Sequence, residues 1–374
     1  MRKNALIILL LVLPAGLHQL EAQDNSSWPL FHGDQKLTGY SGISFTGNPT
    51  LSWTFNAKSE VKSSPVIGNN SVYFGSGDGT FYCISSVGKL IWSFKTANSI
   101  EAPPLFHDNS VYTATLTGEI YSLDAKTGKQ RWLYKTEGQI IGSPNYFMNG
   151  PEKKIIAGSY DYYLYCISDK TGKADWKYET ENYLNSSPSV AGKYSVFGGC
   201  DGKLHVIDLA TGKAFRKIDM GTYIASSSSL AGNQAFFGNY DGDFFCVDYV
   251  SGKTIWSQSS GGSFVSSPAI SESCIVIGSE TRNVYCFNRK DGKLLWTYKT
   301  QGKISGSPVI AGSRVFITSG DGRLYMLDLR TGSKIWSFEL GSPSGSTPAI
   351  VKNLLVVATD DGRVYGFKLG QVSK

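Results

Sequence analysis

Helical periodicity is nearly absent from these 374 residues, and histidine and long apolar runs are scarce. With no helix to follow a strand, glycine-rich stretches such as Gly261-Gly262 lack the setting that a phosphate-binding loop needs. There are four histidines, His18, His32, His107 and His205. The last three sit in unrelated contexts, without the spacing of a metal site or a histidine-based triad. Charge is mild: a formal +6 is spread through turn sequences with no concentrated basic block, which argues against nucleic-acid binding. The one apolar run, Ala5 to Leu13, follows Arg2 and Lys3 and is too short to span a bilayer. With Leu20 and Ala22 at the recognition positions, residues 1–22 read as a cleaved signal peptide. Its removal takes away Arg2, Lys3 and Glu21 and leaves +5. No cysteine precedes Cys83, so a lipid-attachment cysteine is not expected. The expectation is an exported, periplasmic or secreted monomer without a transmembrane segment.

Repetition dominates what is present. Trp53, Trp92, Trp132, Trp176, Trp256, Trp296 and Trp336 recur every 39 to 44 residues, with Arg216 filling the one gap. Twelve residues after each stands Pro65, Pro104, Pro144, Pro188, Ser228, Pro268, Pro308 or Pro348. A further Trp would fall just past Lys374, and its spare copy is the segment around Trp53. One quasi-symmetric body is implied, closed by its own N-terminal strand.

A single repeat reads as four short strands. Val72-Tyr73-Phe74 and Phe81 to Ile84 are apolar on both faces, as strands sandwiched between neighbouring sheets are. Asp78-Gly79 suits a tight hairpin and returns at Asp201, Asp241, Asp321 and Asp361, each followed by glycine. The second turn, leading to the Trp-bearing strand, is Thr-Gly-Lys or a close variant, as at Thr127-Gly128-Lys129. Stacking such units into a ring buries both faces of every sheet and removes free edges. The predicted fold is therefore all-β, an eight-bladed propeller over residues 50–370, after a lead-in at 23–49 and before a tail at 371–374. Its eighth blade takes three strands from about Thr347 to Leu369 and the fourth from Leu51 to Asn56. The Trp side chains act as wedges between blades.

The segment Tyr121-Ser122-Leu123-Asp124-Ala125-Lys126-Thr127-Gly128-Lys129-Gln130-Arg131-Trp132 resembles the tryptophan-docking motif of quinoprotein-type (pyrroloquinoline-quinone-like) repeats. Asp208 to Lys213 and Asp328 to Trp336 share it, and Trp28-Pro29-Leu30-Phe31-His32-Gly33 is similar to that group's lead-in. The resemblance implies one of two roles. Quinoprotein dehydrogenases hold the quinone over calcium, with a catalytic Asp and commonly an adjacent-cysteine disulfide. This chain has no Cys-Cys pair and only one short insertion, near Asn149-Gly150-Pro151. The propeller of the outer-membrane β-barrel assembly machinery, similar in size, instead implies a non-catalytic scaffold with protein partners in the cell envelope. The second is preferred, with no cofactor, metal or catalytic residue expected. A quinone-dependent alcohol or sugar dehydrogenase and a ligand-sensing or carbohydrate-binding propeller are the alternatives.

Candidate binding residues lie where the repeats differ. Tyr160, Tyr162, Tyr183, Asn185, Tyr223, Tyr240, Phe264 and Arg282 should gather on one rim of the ring, and aromatics with arginine anchor protein interfaces. The repeated Asp residues are turn formers, and Ser226 to Ser229 belong to the strand-leading slot of one blade. Cys83, Cys166, Cys246 and Cys286 occupy equivalent positions as apolar fillers, whereas Cys274 and Cys286 flank one hairpin about Glu280 and allow a cross-strand disulfide. Arg216 and Ser228, in place of Trp and Pro, predict that the seam between blades 4 and 5 is the weakest.

Overall fold

The computed structural model describes residues 26–370, so the expected signal peptide at 1–22 and the C-terminal tail lie outside the described residues. Eight four-stranded antiparallel blades form an eight-bladed propeller. Blade 1 comprises Val66–Gly68, Ser71–Gly75, Thr80–Ser85 and Leu90–Lys95, and the pattern repeats around the ring. First strands of successive blades touch one another and line the axis. The second strand of blade 1 is buried at every position, whereas the fourth alternates at the surface. Both-sided apolar sequence thus sits where both sheet faces are covered.

The eighth blade is completed as the repeat count requires. Ala349–Val351, Leu354–Ala358 and Arg363–Gly370 are joined by the N-terminal strand Thr46–Asn56, with Trp53 opposite Gly366. That strand starts earlier than Leu51 because two register irregularities, on either side of Thr50-Leu51, let Thr46 reach Gly370.

Each docking Trp reaches into the next blade. Trp336 packs on Phe367 of the closing blade; in the other six the indole N–H donates to a turn carbonyl, as Trp92 does to Ala125 at 3.1 Å and Trp296 to Leu329 at 2.9 Å. The ring lies flat on the turn glycine beyond: a Cβ on Gly212 would stand 2.5 Å from the Trp176 ring. This close approach, together with φ near +67°, explains the glycine of the Thr-Gly-Lys turn. Arg216 fills the same slot, since its Nε donates to the Val250 carbonyl at 3.0 Å and its Cδ lies over Gly252. The blade 4–5 seam keeps the hydrogen bond and loses the indole's apolar area.

Two further belts were hidden in the sequence. The residue before each strand-leading proline offers its backbone N–H to the hydroxyl of its counterpart in the next blade. The chain of donors runs Ser143 to Ser187, Ser227, Ser267, Ser307, Thr347 and across the closure to Ser64, at 2.8–3.0 Å. It stops at blade 2, where Pro103 has neither N–H nor hydroxyl.

The second belt is the lead-in segment, which winds once around the axis. Trp28 exchanges two backbone bonds with Ile67 of blade 1, and Pro29 accepts from Phe106 of blade 2. Gln35 bonds Tyr146 and Asn145 of blade 3 and accepts from Val190 of blade 4. Lys36, Thr38 and Gly39 then accept from Leu230, Ile270 and Ile310 of blades 5, 6 and 7. Tyr40–Ser41 adds a parallel strand to blade 7. In each of blades 1 to 7 a partner is the second residue after the blade's proline or Ser228, so one inner-edge position is satisfied from blade to blade. His32 and Leu37 hold positive φ of 60° and 56° within this belt. His32 is fully buried with its Nδ1 on the Leu37 carbonyl, and burial pulls its pKa down to about 4.

Trp296→Ala should cost about 3–5 kcal/mol, the usual range for a buried Trp, and Arg216→Ala distinctly less, with Arg216→Trp stabilising; urea denaturation measures all three. The repeated Asp residues set the acid limit. Hydrogen bonding to Arg131 and Thr127 holds the Asp124 carboxyl near about 2. Burial pushes Asp78 up, yet bonds from Ser76, Thr80 and Lys95 prevail and bring it to about 2. Because these folded-state values lie below the unfolded value, their stabilisation is present above about pH 4 and is lost as pH falls towards 2. The urea midpoint should fall across that window, and less steeply in Asp78→Asn.

Candidate functional site

Up-and-down connectivity sorts the loops into two ends. Turns joining strands one to two and three to four emerge at one end of the disc; the two-to-three hairpins and blade-to-blade connections emerge at the other. The lead-in belt crosses the first end, where the first strands finish. The second end, left open, carries the residues that vary between repeats.

Hairpins at the open end need a positive φ at their fourth position, and six blades supply glycine, as at Gly79 (φ 79°) and Gly202 (φ 72°). Blades 3 and 6 force Tyr162 (φ 75°) and Arg282 (φ 72°) into the same conformation. Bulky residues there cost about 1 kcal/mol or more each. Both side chains are exposed, so burial in the core does not repay the strain.

Tyr162 belongs to a cluster. Tyr183, on the connection from blade 3 to blade 4, stacks on Tyr160 at 4.9 Å and meets Tyr162 at 5.2 Å between ring centres. Tyr223 and Tyr240 continue the arc, joined through their backbones at 3.0 Å, and are 54% and 53% exposed. Arg282 stands on the following hairpin, in blade 6. Between the two tyrosine groups lies a cleft of about 460 Å³, whose lining includes Glu181, Asn182, Cys200, Asp201 and Tyr223.

Beneath the cleft is a polar relay unique to blade 4. His205 takes the slot that holds Tyr165 in blade 3 and Tyr325 in blade 7, where each hydroxyl donates to its hairpin Asp. Here the His205 Nε2 lies 2.9 Å from the Asp201 carboxylate and the Nδ1 3.0 Å from the Tyr178 hydroxyl. The carboxylate can only accept, so the ring proton belongs on Nε2 and Tyr178 donates to Nδ1. Burial pushes the Asp201 carboxyl up, but hydrogen bonds from His205 and from the Lys203 and Glu181 backbone N–H groups bring it net below the usual range. This fixes the hairpin that floors the cleft. The histidine's place in a Tyr slot was visible in the sequence; its partner Tyr178, on the neighbouring blade, was not.

Not every expected rim residue lies on the rim. Phe264 is fully buried, packed on Gly238 and Phe244, because it occupies the slot of Ile224 and Ile304 beneath the sheet ends. It is a core residue. Asn185 sits in the axial wall, with its Oδ1 buried and unpartnered. The equivalent layer brings Lys62 within 2.9 Å of Glu101, and Gly345 against Ser305. Cys274 and Cys286 are buried free thiols. The hairpin is centred on Thr281, one residue beyond the expected centre, so Cys274 opposes Asn288 and Cys286 opposes Val276. The thiols meet diagonally, and the shared hydrogen bond, with burial, holds the Cys286 proton on.

The fold and its Trp-to-glycine docking define a quinoprotein-type repeat propeller. The family model described as outer membrane protein assembly factor BamB matches residues 47–115, 85–252 and 241–372, and the chain belongs to that family. Among solved structures, BamB from Moraxella catarrhalis superimposes with a TM-score of 0.74 at 18% identity, over 86% of this chain and 100% of that one. Quinohemoprotein alcohol dehydrogenase from Comamonas testosteroni gives 0.79 at 15% identity, over 95% and 82%. The computationally designed Ika8 protein gives 0.74 at 16%, over 86% and 100%. At these identities the structures share the fold with this chain. No curated protein matches the sequence.

Replacing Tyr162 or Arg282 by glycine should raise stability by about 0.5–1 kcal/mol each, read from urea midpoints. A fall in stability would show that the exposed side chains hold the hairpins.

Proposed function

We propose that the chain is a non-catalytic scaffold of the cell envelope, engaged in outer-membrane protein assembly, whose tyrosine arc at the open end binds a partner protein. The observation that carries this reading is Tyr162, strained at φ 75° where a glycine would serve, and exposed beside Tyr183. Backbone strain held at an exposed side chain, with no burial in the core, is found at functional sites. Rigid aromatic rings around a cleft suit the anchoring role that a few interface residues play. Family membership supports the same reading.

The likeness to quinohemoprotein dehydrogenases raises a second reading, in which the axial channel holds a quinone over a divalent cation. The donor set fits this poorly. At the open mouth Glu101 is tied to Lys62, which Glu60 also approaches, and Asp360 accepts from the Gly345 backbone, among residues such as Ile141, Ala225 and Val265. The layer below is committed to the hydroxyl belt.

Envelope extracts passed over the immobilised chain should yield a reproducible partner, and Tyr162→Ala with Tyr183→Ala should weaken its capture at least about tenfold. Retention of the partner by that double variant would remove the arc from the interface. Micromolar binding of pyrroloquinoline quinone with calcium in calorimetry would favour the second reading instead.

A further inference from the structure

We propose that the belted end of the disc, opposite the tyrosine arc, is a docking face for a bilayer surface rich in anionic lipid. In the sequence its lysines are dispersed singly through the turns. The fold collects them. Every three-to-four turn emerges at this end, and six of them finish in an exposed lysine: Lys89, Lys129, Lys173, Lys213, Lys253 and Lys293. Lys193 and Lys352 project from first hairpins at the same end and are also exposed. Eightfold repetition thus converts one basic turn residue into a ring of ammonium groups.

The carboxylates of this end are largely engaged: Asp108, Glu152, Asp169 and Asp175 by Lys153 and Lys154, and others by their own turns, while Glu272 is exposed. Asp124, Asp208, Asp248 and Asp328 each accept backbone N–H groups two or three residues on, and Asp124 and Asp328 also meet Arg131 and Arg314. The open end has the reverse balance, with Glu60, Glu101, Glu137, Asp161, Glu181 and Asp201 among its loops. The molecule is therefore electrically polarised along its axis, which would orient it over a charged plane.

Apolar side chains share the basic end. Val87, at a turn tip, and Met148, near the end of a first strand, are 63% and 53% exposed, and Leu90, Ile91, Leu294 and Leu295 follow directly after turn lysines at the adjoining edge. Exposed aliphatic groups beside lysines, whose stems can lie along apolar surface, match the interfacial region of a membrane. The lead-in belt lines the inner edges of blades 1 to 7 at this end. A single-stranded nucleic acid is the other polyanion to weigh. Its binding uses a series of exposed aromatic platforms, and among the described residues four of the five strongly exposed aromatic side chains, Tyr162, Tyr183, Tyr223 and Tyr240, stand at the opposite end, leaving Phe215 at the belted edge.

The test is flotation of the full chain with vesicles of phosphatidylcholine, with and without phosphatidylglycerol, at physiological salt. Binding is expected only with phosphatidylglycerol, and should be reversed by high salt. Each lysine near such a surface strengthens binding by about fivefold. The quadruple variant Lys129→Glu, Lys173→Glu, Lys213→Glu and Lys293→Glu should therefore bind at least about a hundredfold more weakly. Reversing Lys58, Lys135, Lys299 and Lys303, at the other end, should leave binding unchanged, and circular dichroism shows that both variants are folded. Equal binding to pure phosphatidylcholine, no binding to either vesicle, or equal loss in the two variants would overturn the proposal. So would tight binding of a single-stranded oligonucleotide by a chain that ignores the vesicles. The assay contains no partner protein, so its outcome is independent of the tyrosine arc.

Discussion

Backbone groups on the inner edges of the blades are the constraint on which this molecule depends. Blades pack face to face and bury their sides, but each first strand presents an unpaired edge to the axis, and unpaired buried N–H groups are costly. The lead-in segment meets that demand at one position per blade, from Ile67 to Ile310. The hydroxyl belt meets it one layer away, from Ser143 round to Ser64. These polar circles lie inside the apolar seams, where Trp and glycine interlock. Because each layer satisfies a different set of groups, no one of them suffices alone.

Much of this was legible before any coordinates. Spacing of Trp and Pro gave the blade count and the closing strand, because a repeat that must pack on its neighbours imposes one period on its largest side chains. The two-sided apolar strands and the turn glycines followed from local chemistry. What escaped was relational. Ser64 and Thr347 look like ordinary strand-leading residues until the ring brings them together. Phe264 looked like a rim residue because its blade reads Phe where others read Ile or Leu, a difference of volume inside the core. The Cys274–Cys286 register missed by one step because Thr281-Arg282 replaces the Asp-Gly that marks other hairpins.

The two ends of the disc are built by different rules. At the belted end the turns are near copies, so their side chains add up as a uniform ring. At the open end the hairpins keep their backbone conformation but vary their side chains, even where Tyr162 and Arg282 strain the turn. A repeat architecture thereby separates a collective surface from an individual one, and the charge that seemed evenly diluted along the chain is sorted by connectivity alone.

One consequence concerns time rather than structure. The strand bearing Trp53 pairs with residues more than three hundred positions downstream, and the belt that precedes it touches seven blades in order. The earliest part of the chain to be synthesised can therefore reach its final place only after the latest part exists. Closing so long a loop is entropically slow, and until it closes both ends of the blade array stay ragged and prone to pairing with other chains. The architecture thus trades a durable finished ring for a prolonged and vulnerable assembly, a period in which protection by other proteins would matter most.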